Sequence, residues 1–439
     1  MPKNDNVSPQ SPEYTNRLYV VITMLAAANY YFSNPKPQNY YDYTFRVAAN
    51  ILSGNIAFTE KQPSWLNEFV PFEGFYYSVF PLGSVVTMFP FALLKVAGLI
   101  TDMPGAFLAA LSAGVVCLFL FLIGKRYDID AVRLIVMTLG VVFGTWMWTN
   151  LTMAGAWQLA LGFAMIGELG AIYFTVYNRR PLIAGMFFAL AFGNRTEILL
   201  TAPILMYFLN RRDAETESAE KTEGRVSKQK SRSNISSSVP NSLSQRLGVS
   251  AVNIRAIALF CTAPFMLGVS TLLYNYVRFH SFTDFGYARI PGVLAEPWYN
   301  HGIFSYHYIP RQIWEMLWRP WETRPGFPYL VPNPFSSSIL WSSPFILFAL
   351  RFGARDRVLK YASWLAIFIL CILLWMHGNS GGWQFGYRYA MVCLPWLFVI
   401  MLESSPKKLT PLEWVAYGFS FAANIYATWL FHWTGYLRP

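Results

Sequence analysis

Long apolar runs separated by short polar connections dominate this chain after a polar tail at residues 1–16. Most runs approach the roughly 20 residues that a helix needs to cross a bilayer. Because a bilayer admits helices but not isolated strands, the pattern predicts an all-α, polytopic transmembrane bundle. The runs lie at 17–33, 78–100, 104–123, 131–149, 155–177, 181–210, 254–277, 337–351, 358–377, 388–402 and 411–433.

The first run, 17–33, is predicted to be an uncleaved span, since Arg17 flanks its start as a cytoplasmic anchor does. The triplet Ala26-Ala27-Ala28 leaves a cleaved signal peptide open as the alternative. Either way, the segment that follows begins outside the cytoplasm.

Two runs are ambiguous. The run 78–100 contains Pro81, Pro90 and Lys95, and the run 181–210 is too long for one span and is interrupted around Asn194. Charge decides between the options, because basic connections should share the cytoplasmic side. They do so if 78–100 dips into the membrane and returns, and if 181–210 is a hairpin of two short helices turning at Asn194. This predicts eleven crossings, with the N-terminus inside and the C-terminus outside. The basic connections are Lys125-Arg126 with Arg133, Arg179-Arg180, 211–255, 351–360 and Lys407-Lys408.

The same reasoning divides the chain into two transmembrane modules. The N-terminal module covers 17–210 with an outer loop at 34–77, and the C-terminal module covers 254–439 with an outer loop at 278–336. Residues 211–253 between them are rich in Ser, Lys, Arg and Glu and predict a disordered cytoplasmic linker. A Gly-rich outer turn at 377–387 adds a third segment in which to look for chemistry.

Composition supports this picture. Only 13% of the residues are charged and 54% are hydrophobic, which is typical of a protein in lipid. The net charge of +11 lies in the short connections, so the positive-inside bias explains it and nucleic-acid binding is not predicted. The four cysteines fall inside apolar runs without ligand spacing and are interpreted as small core residues.

Residues 39–52 predict an amphipathic helix on the membrane surface, with Asp42, Arg46 and Asn50 along its polar stripe. Asp42 has two interpretations. It is a carboxylate at the start of the helix that pairs with Arg46 four residues on, or it is a catalytic base. The pattern alone favours the first.

Ionisable residues within apolar runs are functional candidates by default. Lys95 either holds an anion or extends to the interface. Arg195 either pairs with Glu197 or binds a ligand phosphate, and Glu168 is expected to make an interhelical hydrogen bond. Outside these runs, the loop carboxylates and histidines are interpreted as solvated or interfacial groups. These are Glu60, Glu68, Glu73, His301 and His307.

Two outer motifs carry a resemblance. The first reads Tyr274-Asn275-Tyr276-Val277-Arg278-Phe279-His280, continuing to Gly286-Tyr287, and the second reads Gly381-Gly382-Trp383-Gln384-Phe385-Gly386-Tyr387-Arg388-Tyr389 before Pro395. The chain is similar at both to bacterial membrane glycosyltransferases of the GT-C class, which use polyprenyl-phosphate sugars. The likeness extends weakly over the general layout of most of the chain. His280 stands where that family usually has Gly, and the outer turn 149–158 lacks the second acid that many relatives carry.

The resemblance implies an integral protein of the bacterial cytoplasmic membrane that transfers a sugar on the outer face with inversion. Its expected partners are a lipid-linked sugar donor and membrane lipid. Asp42 would be the base, and a second set of residues would bind the substrate. That set holds the phosphate with Arg195, Arg388 and Lys95, stacks on sugars with Trp298, Tyr299 and Trp383, and bonds a sugar hydroxyl with Asp284. No cofactor is required, and a divalent metal is not excluded.

Two other classes stay open at this point. A transporter or lipid flippase would line its path with Arg195 and Glu168, although no internal repeat of span pattern is visible. A non-catalytic assembly subunit is the third alternative. Convergence of Asp42, Arg195 and Arg388 at one membrane-facing groove would distinguish an enzyme from both.

Overall fold

A computed structural model describes residues 12–211 and 253–437 of the chain as a mostly helical bundle. Residues 1–11, 212–252 and 438–439 lie outside the described part, and with them most of the predicted tail and linker. The helices are α1 Pro12–Phe32, α2 Tyr43–Leu52, α3 Leu82–Thr87, α4 Phe89–Val96, α5 Gly105–Gly124, α6 Ala131–Phe143, α7 Met147–Met153, α8 Ala156–Ile172, α9 Pro181–Asn194, α10 202–211, α11 Ile254–Phe279, α12 Ile309–Ile313, α13 Ile339–Ser342, α14 Arg357–Met376, α15 Leu394–Glu403 and α16 Pro411–Trp433.

Four of the described helices are long and apolar enough to cross a membrane: Gly105–Gly124, Ala156–Tyr177, Ile254–Phe279 and Arg357–Met376. A fifth results if α6 and α7, which meet at 47°, form one broken span. The predicted class of helical membrane protein is therefore supported, whereas the count of eleven crossings stays a prediction. Helices α1 and α16 reach 21 and 23 residues but carry more polar positions than these spans.

Two predicted spans are not continuous helices. In the run 337–351, Ser343 and Pro344 divide a four-residue helix from a 3-10 helix at Pro344–Leu350. In the run 388–402, a 3-10 turn at Arg388–Cys393 precedes the ten-residue α15. Proline near each junction lacks the N–H that a continuing α-helix needs. Each of these runs is therefore broken in the structure, and its crossing of the membrane stays a prediction. Helix α1 begins at Pro12, within the predicted polar tail.

The basic connections meet at one end of the bundle, as the charge argument requires. Arg211 pairs with Asp356 at 2.8 Å, and Lys407 pairs with Asp128 at 2.6 Å. Buried Glu413 at the start of α16 binds both Arg133 and Arg351. We call this region the basic end and the opposite region, where α8 begins and α14 ends, the site end.

The dip and the hairpin meet inside the bundle. Residues 82–96 form two short helices and 181–211 form two more, the second of which returns to the basic end. A Cβ atom on Gly83 would overlap the backbone of Gly193, so the two segments touch main chain to main chain. Only glycine permits so close an approach. The predicted hairpin turning at Asn194 agrees with this arrangement.

Each of the two loops that are predicted to lie outside contains a short antiparallel strand pair. The first contains an antiparallel hairpin of β1 Phe69–Phe72 and β2 Phe75–Ser78, joined by Glu73 and Gly74, both at positive φ. That turn matches the right-handed twist of paired strands. The second loop consists mainly of 3-10 turns and one short strand pair, β3 Glu322–Thr323 with β4 Leu330–Val331.

Candidate functional site

Trp157, at the first turn of α8, joins the outer segments. Its ring centroid lies 5.0 Å from those of both Tyr41 and Tyr43. Its indole N–H donates to the Glu68 carboxylate at 2.9 Å. The guanidinium carbon of Arg388 lies 6.0 Å from the centroid of the same indole ring. One side chain therefore brings α2, the first outer loop and the second motif together.

Asp42 lies between two of the tyrosines that contact this indole. It is buried, precedes α2, and accepts from Arg46 Nε at 3.1 Å. The predicted pairing with Arg46 is confirmed. The helix is present but begins at Tyr43 and not at residue 39, and its place on the membrane surface stays a prediction. Burial raises the pKa of Asp42 above its usual value, although the charges of Arg46 and Lys95 act in the opposite direction. A buried carboxylate with a raised pKa is a better proton acceptor than a solvated one.

Glu68 is the acidic group that the sequence interpretation missed. Glu60 and Glu73 are exposed as predicted, but Glu68 is partly buried against Trp157. Burial raises the pKa of Glu68 to about 7, although the indole N–H and the charge of Arg388 lower it. Nothing in the spacing of the loop distinguishes the three glutamates. The signal that could have found Glu68 is the strand that begins at Phe69, which turns the chain back onto the bundle.

Two arginines share one aromatic ring. Guanidinium carbons of Arg195 and Arg388 lie 4.7 Å and 5.1 Å from the centroid of Tyr389. Arg195 is paired with Glu197 at 2.7 Å, which confirms the structural alternative for Arg195. The two predicted phosphate ligands thus come together at one residue of the second motif.

Arg388 differs from its neighbour. It is 6% exposed, and no carboxylate of the described chain lies within ion-pair distance of it. Its Nε finds no hydrogen-bond partner among the described residues, and its Nη2 makes only a 3.4 Å contact with the Tyr389 hydroxyl. A buried cation without a counter-ion is unfavourable. Arg388 therefore marks a place where an anionic ligand would lower the free energy of the protein.

A cluster of rings completes the site end. His377, directly after α14, lies 5.8 Å from Tyr299, 6.1 Å from Tyr389 and 6.3 Å from Tyr287, measured between ring centroids. Its Nδ1 bonds the carbonyl of Asn379 at 2.7 Å. Burial, with the charges of Arg195 and Arg388, lowers the pKa of His377 and favours its neutral form.

The remaining predicted ligands, Tyr299, Trp298 and Lys95, differ in exposure and position. Tyr299 is buried with its hydroxyl 2.9 Å from that of Tyr287, whereas Trp298 is 36% exposed. Lys95 lies 5.3 Å from the Phe45 ring, on the helix that packs against α2.

Two predictions need correction. The Asp284 carboxylate binds within its own loop: it accepts a hydrogen bond from the backbone N–H of Gly286 and pairs with Arg289 at 2.7 Å. Trp383 packs edge-on against Phe431 of α16, with ring centroids 5.2 Å apart. Neither side chain joins the cluster around Trp157 and Tyr389.

The first motif is structural in this chain. Arg278 is buried, donates to the carbonyl of Ser78, and bonds Asn275 Oδ1 at 2.6 Å. It thereby fastens the end of α11 to the first outer loop. His280 has a φ of 54°, in the left-handed region that favours glycine.

The second motif builds the turn that presents Arg388. Gln384 Oε1 accepts the Arg388 backbone N–H at 2.8 Å, and Asn150 exchanges two hydrogen bonds with Phe385. Gly386 has a φ of 68° beside Trp146. The glycines and amides of the motif thus fix the backbone, and Arg388 and Tyr389 supply the side chains.

Other predicted features are clear. Glu168 accepts from Trp396 Nε1 at 3.1 Å, which confirms the interhelical hydrogen bond. The four cysteines are free. Within 12–211 and 253–437, no group of three or more His, Cys, Asp or Glu is placed to hold a metal.

Two cavities lie away from Trp157: one of about 430 Å³ at the basic end and one of about 530 Å³ between α1 and α16.

Comparison with family models, curated proteins and solved structures finds no match for this chain. The apolar helices define the class as a helical membrane protein.

Proposed function

We propose that this protein is an inverting glycosyltransferase that takes its sugar from a polyprenyl-phosphate donor on the extracytoplasmic face of the membrane. One observation carries the proposal: the buried guanidinium of Arg388 has no carboxylate partner among the described residues, and two carboxylates lie in the same cluster. A cation, a base and aromatic surfaces are what transfer from a lipid phosphate requires.

Arg388 binds the donor phosphate. A guanidinium has five N–H donors in a fork that matches two phosphate oxygens, and only one contact, with Tyr389, occupies the fork of Arg388. Arg195 stays paired with Glu197 and adds its charge beside the same Tyr389 ring. Lys95 contributes from α4, beside Asp42.

Asp42 is the base. The oxygen of an acceptor hydroxyl forms a bond to the anomeric carbon while the bond from that carbon to the phosphate oxygen breaks. The hydroxyl proton passes to Asp42, and the phosphate leaves with the bonding electrons. Arg388 neutralises the charge that develops on the leaving oxygen. Since the attack comes from the face opposite the phosphate, the product has inverted configuration.

Glu68 and Trp157 position this pair. The indole contacts the tyrosines on both sides of Asp42, donates to Glu68 and lies beside Arg388. Trp298, which is the exposed ring of the predicted sugar-binding set, supplies a stacking surface.

The experiment uses the purified full-length protein and two probes. Binding of polyprenyl phosphate, the product common to all such donors, is measured first, because it does not require the sugar to be known. Release of polyprenyl phosphate from a panel of hexosyl and pentosyl donors is measured second, with cell-envelope lipids as acceptors. Asp42→Asn should retain binding and lose release, whereas Glu60→Gln, an exposed carboxylate of the same loop, should retain both.

Wild-type release in Asp42→Asn would show that Asp42 is not the base. Binding without release by the wild-type protein would favour the alternative, a transporter or flippase of the same lipid. The structure gives that alternative no separate support, since the Glu168 side chain is buried in the core, where it accepts a hydrogen bond from Trp396.

A further inference from the structure

The basic end contains a cavity of about 430 Å³ that the proposed reaction does not use. It opens where the turn after α5, the end of α8, helix α10 and the segment before α14 meet. Its charged and phenolic lining consists of Arg126, Arg211, Arg355, Asp356, Glu403, Tyr127 and Tyr177.

The cavity lies one membrane thickness from the site end. The span Ala156–Tyr177 has its first turn at Trp157 and its last residue in the cavity wall. Its 22 residues correspond to about 33 Å of helix. The span Arg357–Met376 connects the same two levels in the opposite direction, from Asp356 to His377. The hydrocarbon core of a bilayer is about 30 Å thick, so the cavity is at the level of the headgroups of the other leaflet.

The two carboxylates of the cavity are already bound by the protein. Asp356 accepts from Arg211 at 2.8 Å and from two backbone N–H groups at the start of α14. Glu403 accepts from the Tyr127 hydroxyl and from the Asp356 backbone N–H, both at 2.6 Å. These interactions hold the acidic groups against the wall of the cavity.

Two of the three arginines, Arg126 and Arg355, make fewer hydrogen bonds within the described chain than their N–H groups allow. Arg126 donates one, from Nη2 to the Tyr173 hydroxyl at 3.1 Å. Arg355 bonds backbone carbonyls through Nη1 and Nη2, the shortest being 2.7 Å to Leu402. Both side chains line the cavity, and each guanidinium has five N–H donors, so donors remain for a ligand. Three arginines against two carboxylates also leave the lining with net positive charge.

We propose that this cavity binds the phosphate of an anionic membrane lipid. Basic pockets between transmembrane helices at headgroup depth are suited to such headgroups. Guanidinium forks match phosphate oxygens. The bound lipid ties α5, α8, α10 and α14 together at the basic end. This proposal is independent of the glycosyltransferase function.

The test uses the full-length protein in micelles and native mass spectrometry with added phosphatidylglycerol, phosphatidylcholine or inorganic phosphate. We expect retention of phosphatidylglycerol over phosphatidylcholine and a drop of about tenfold or more in its affinity in Arg126→Gln. Glutamine keeps a donor for the Tyr173 hydroxyl. The matched control is Lys125→Gln, which removes the same charge one residue away on an exposed side chain that is not part of the lining.

Equal losses in Arg126→Gln and Lys125→Gln would mean that lipid is held by general charge attraction, and the proposal would be overturned. Binding of inorganic phosphate without retention of lipid would assign the cavity to a soluble phosphate compound instead. If Arg126→Gln does not fold, the wild-type protein decides: a melting temperature that rises with phosphatidylglycerol no more than with phosphatidylcholine counts against the proposal.

Discussion

Replacing Arg388 by glutamine separates a binding role from a structural one. The guanidinium is buried, has no ion pair within the described chain and makes a single 3.4 Å contact. Two charge-assisted hydrogen bonds to a donor phosphate would contribute about 1.5–3 kcal/mol each. Loss of both is about 3 kcal/mol or more, which corresponds to more than about a 100-fold loss of affinity for polyprenyl phosphate.

The thermal stability of ligand-free Arg388→Gln, unlike its affinity for the lipid phosphate, should not fall. An uncompensated buried cation is unfavourable, so the melting temperature of ligand-free Arg388→Gln should equal or exceed that of the wild type. Arg195→Gln is the matched control, because Arg195 lies on the same Tyr389 ring but is paired with Glu197 at 2.7 Å. That variant leaves a carboxylate without its partner and should melt at a lower temperature.

Both quantities are measured on the same preparations, by thermal unfolding in detergent and by titration with polyprenyl phosphate. The opposite result is an Arg388→Gln protein whose melting temperature falls as much as that of Arg195→Gln while its affinity for the lipid phosphate is unchanged. Arg388 would then be a structural residue.

Three further predictions concern other parts of the chain. Because Glu68 gains negative charge as the pH rises through its pKa of about 7, the affinity for a sugar-phosphate donor, a diester whose charge is constant in that interval, should fall. Titration with the donor on both sides of that pKa measures the fall, and Glu68→Gln should reduce it. Glu413→Gln should destabilise the protein by about 3–5 kcal/mol, since it leaves two arginines without their shared carboxylate; thermal unfolding measures the loss. Gly83→Ala should lower the melting temperature and Gly268→Ala should not, because a Cβ overlaps the Gly193 backbone in the first case and meets nothing within 4 Å in the second.

The sequence predicted the class and much of the layout for a physical reason. Hydrophobic length and the side on which basic residues lie are properties of the chain alone. They predicted the helix end at Asn194 and the gathering of basic connections at one end, whereas the dip around Lys95 into the membrane stays a prediction. They failed at Ser343 and Pro344, where a local break divides a run that hydropathy treats as uniform.

The candidate site was only partly predictable. Arg388 and Asp42 stand in recognisable local patterns, whereas Glu68 and Trp157 depend on a contact across 89 residues of sequence. No local pattern encodes such a contact. Asp284 is the opposite case. Its position in the sequence suggested a ligand to a sugar, but in the structure its carboxylate pairs with Arg289 of the same loop.

The contact of Gly83 with Gly193 also constrains how the protein is made. The segment 78–100 leaves the ribosome about a hundred residues before its partner, and Arg388 follows almost two hundred residues later. The main-chain contact of Gly83 therefore cannot form until the residues around Gly193 have been synthesised. This part of the bundle is completed late, and a chain that ends before Gly193 leaves Gly83 without its neighbour.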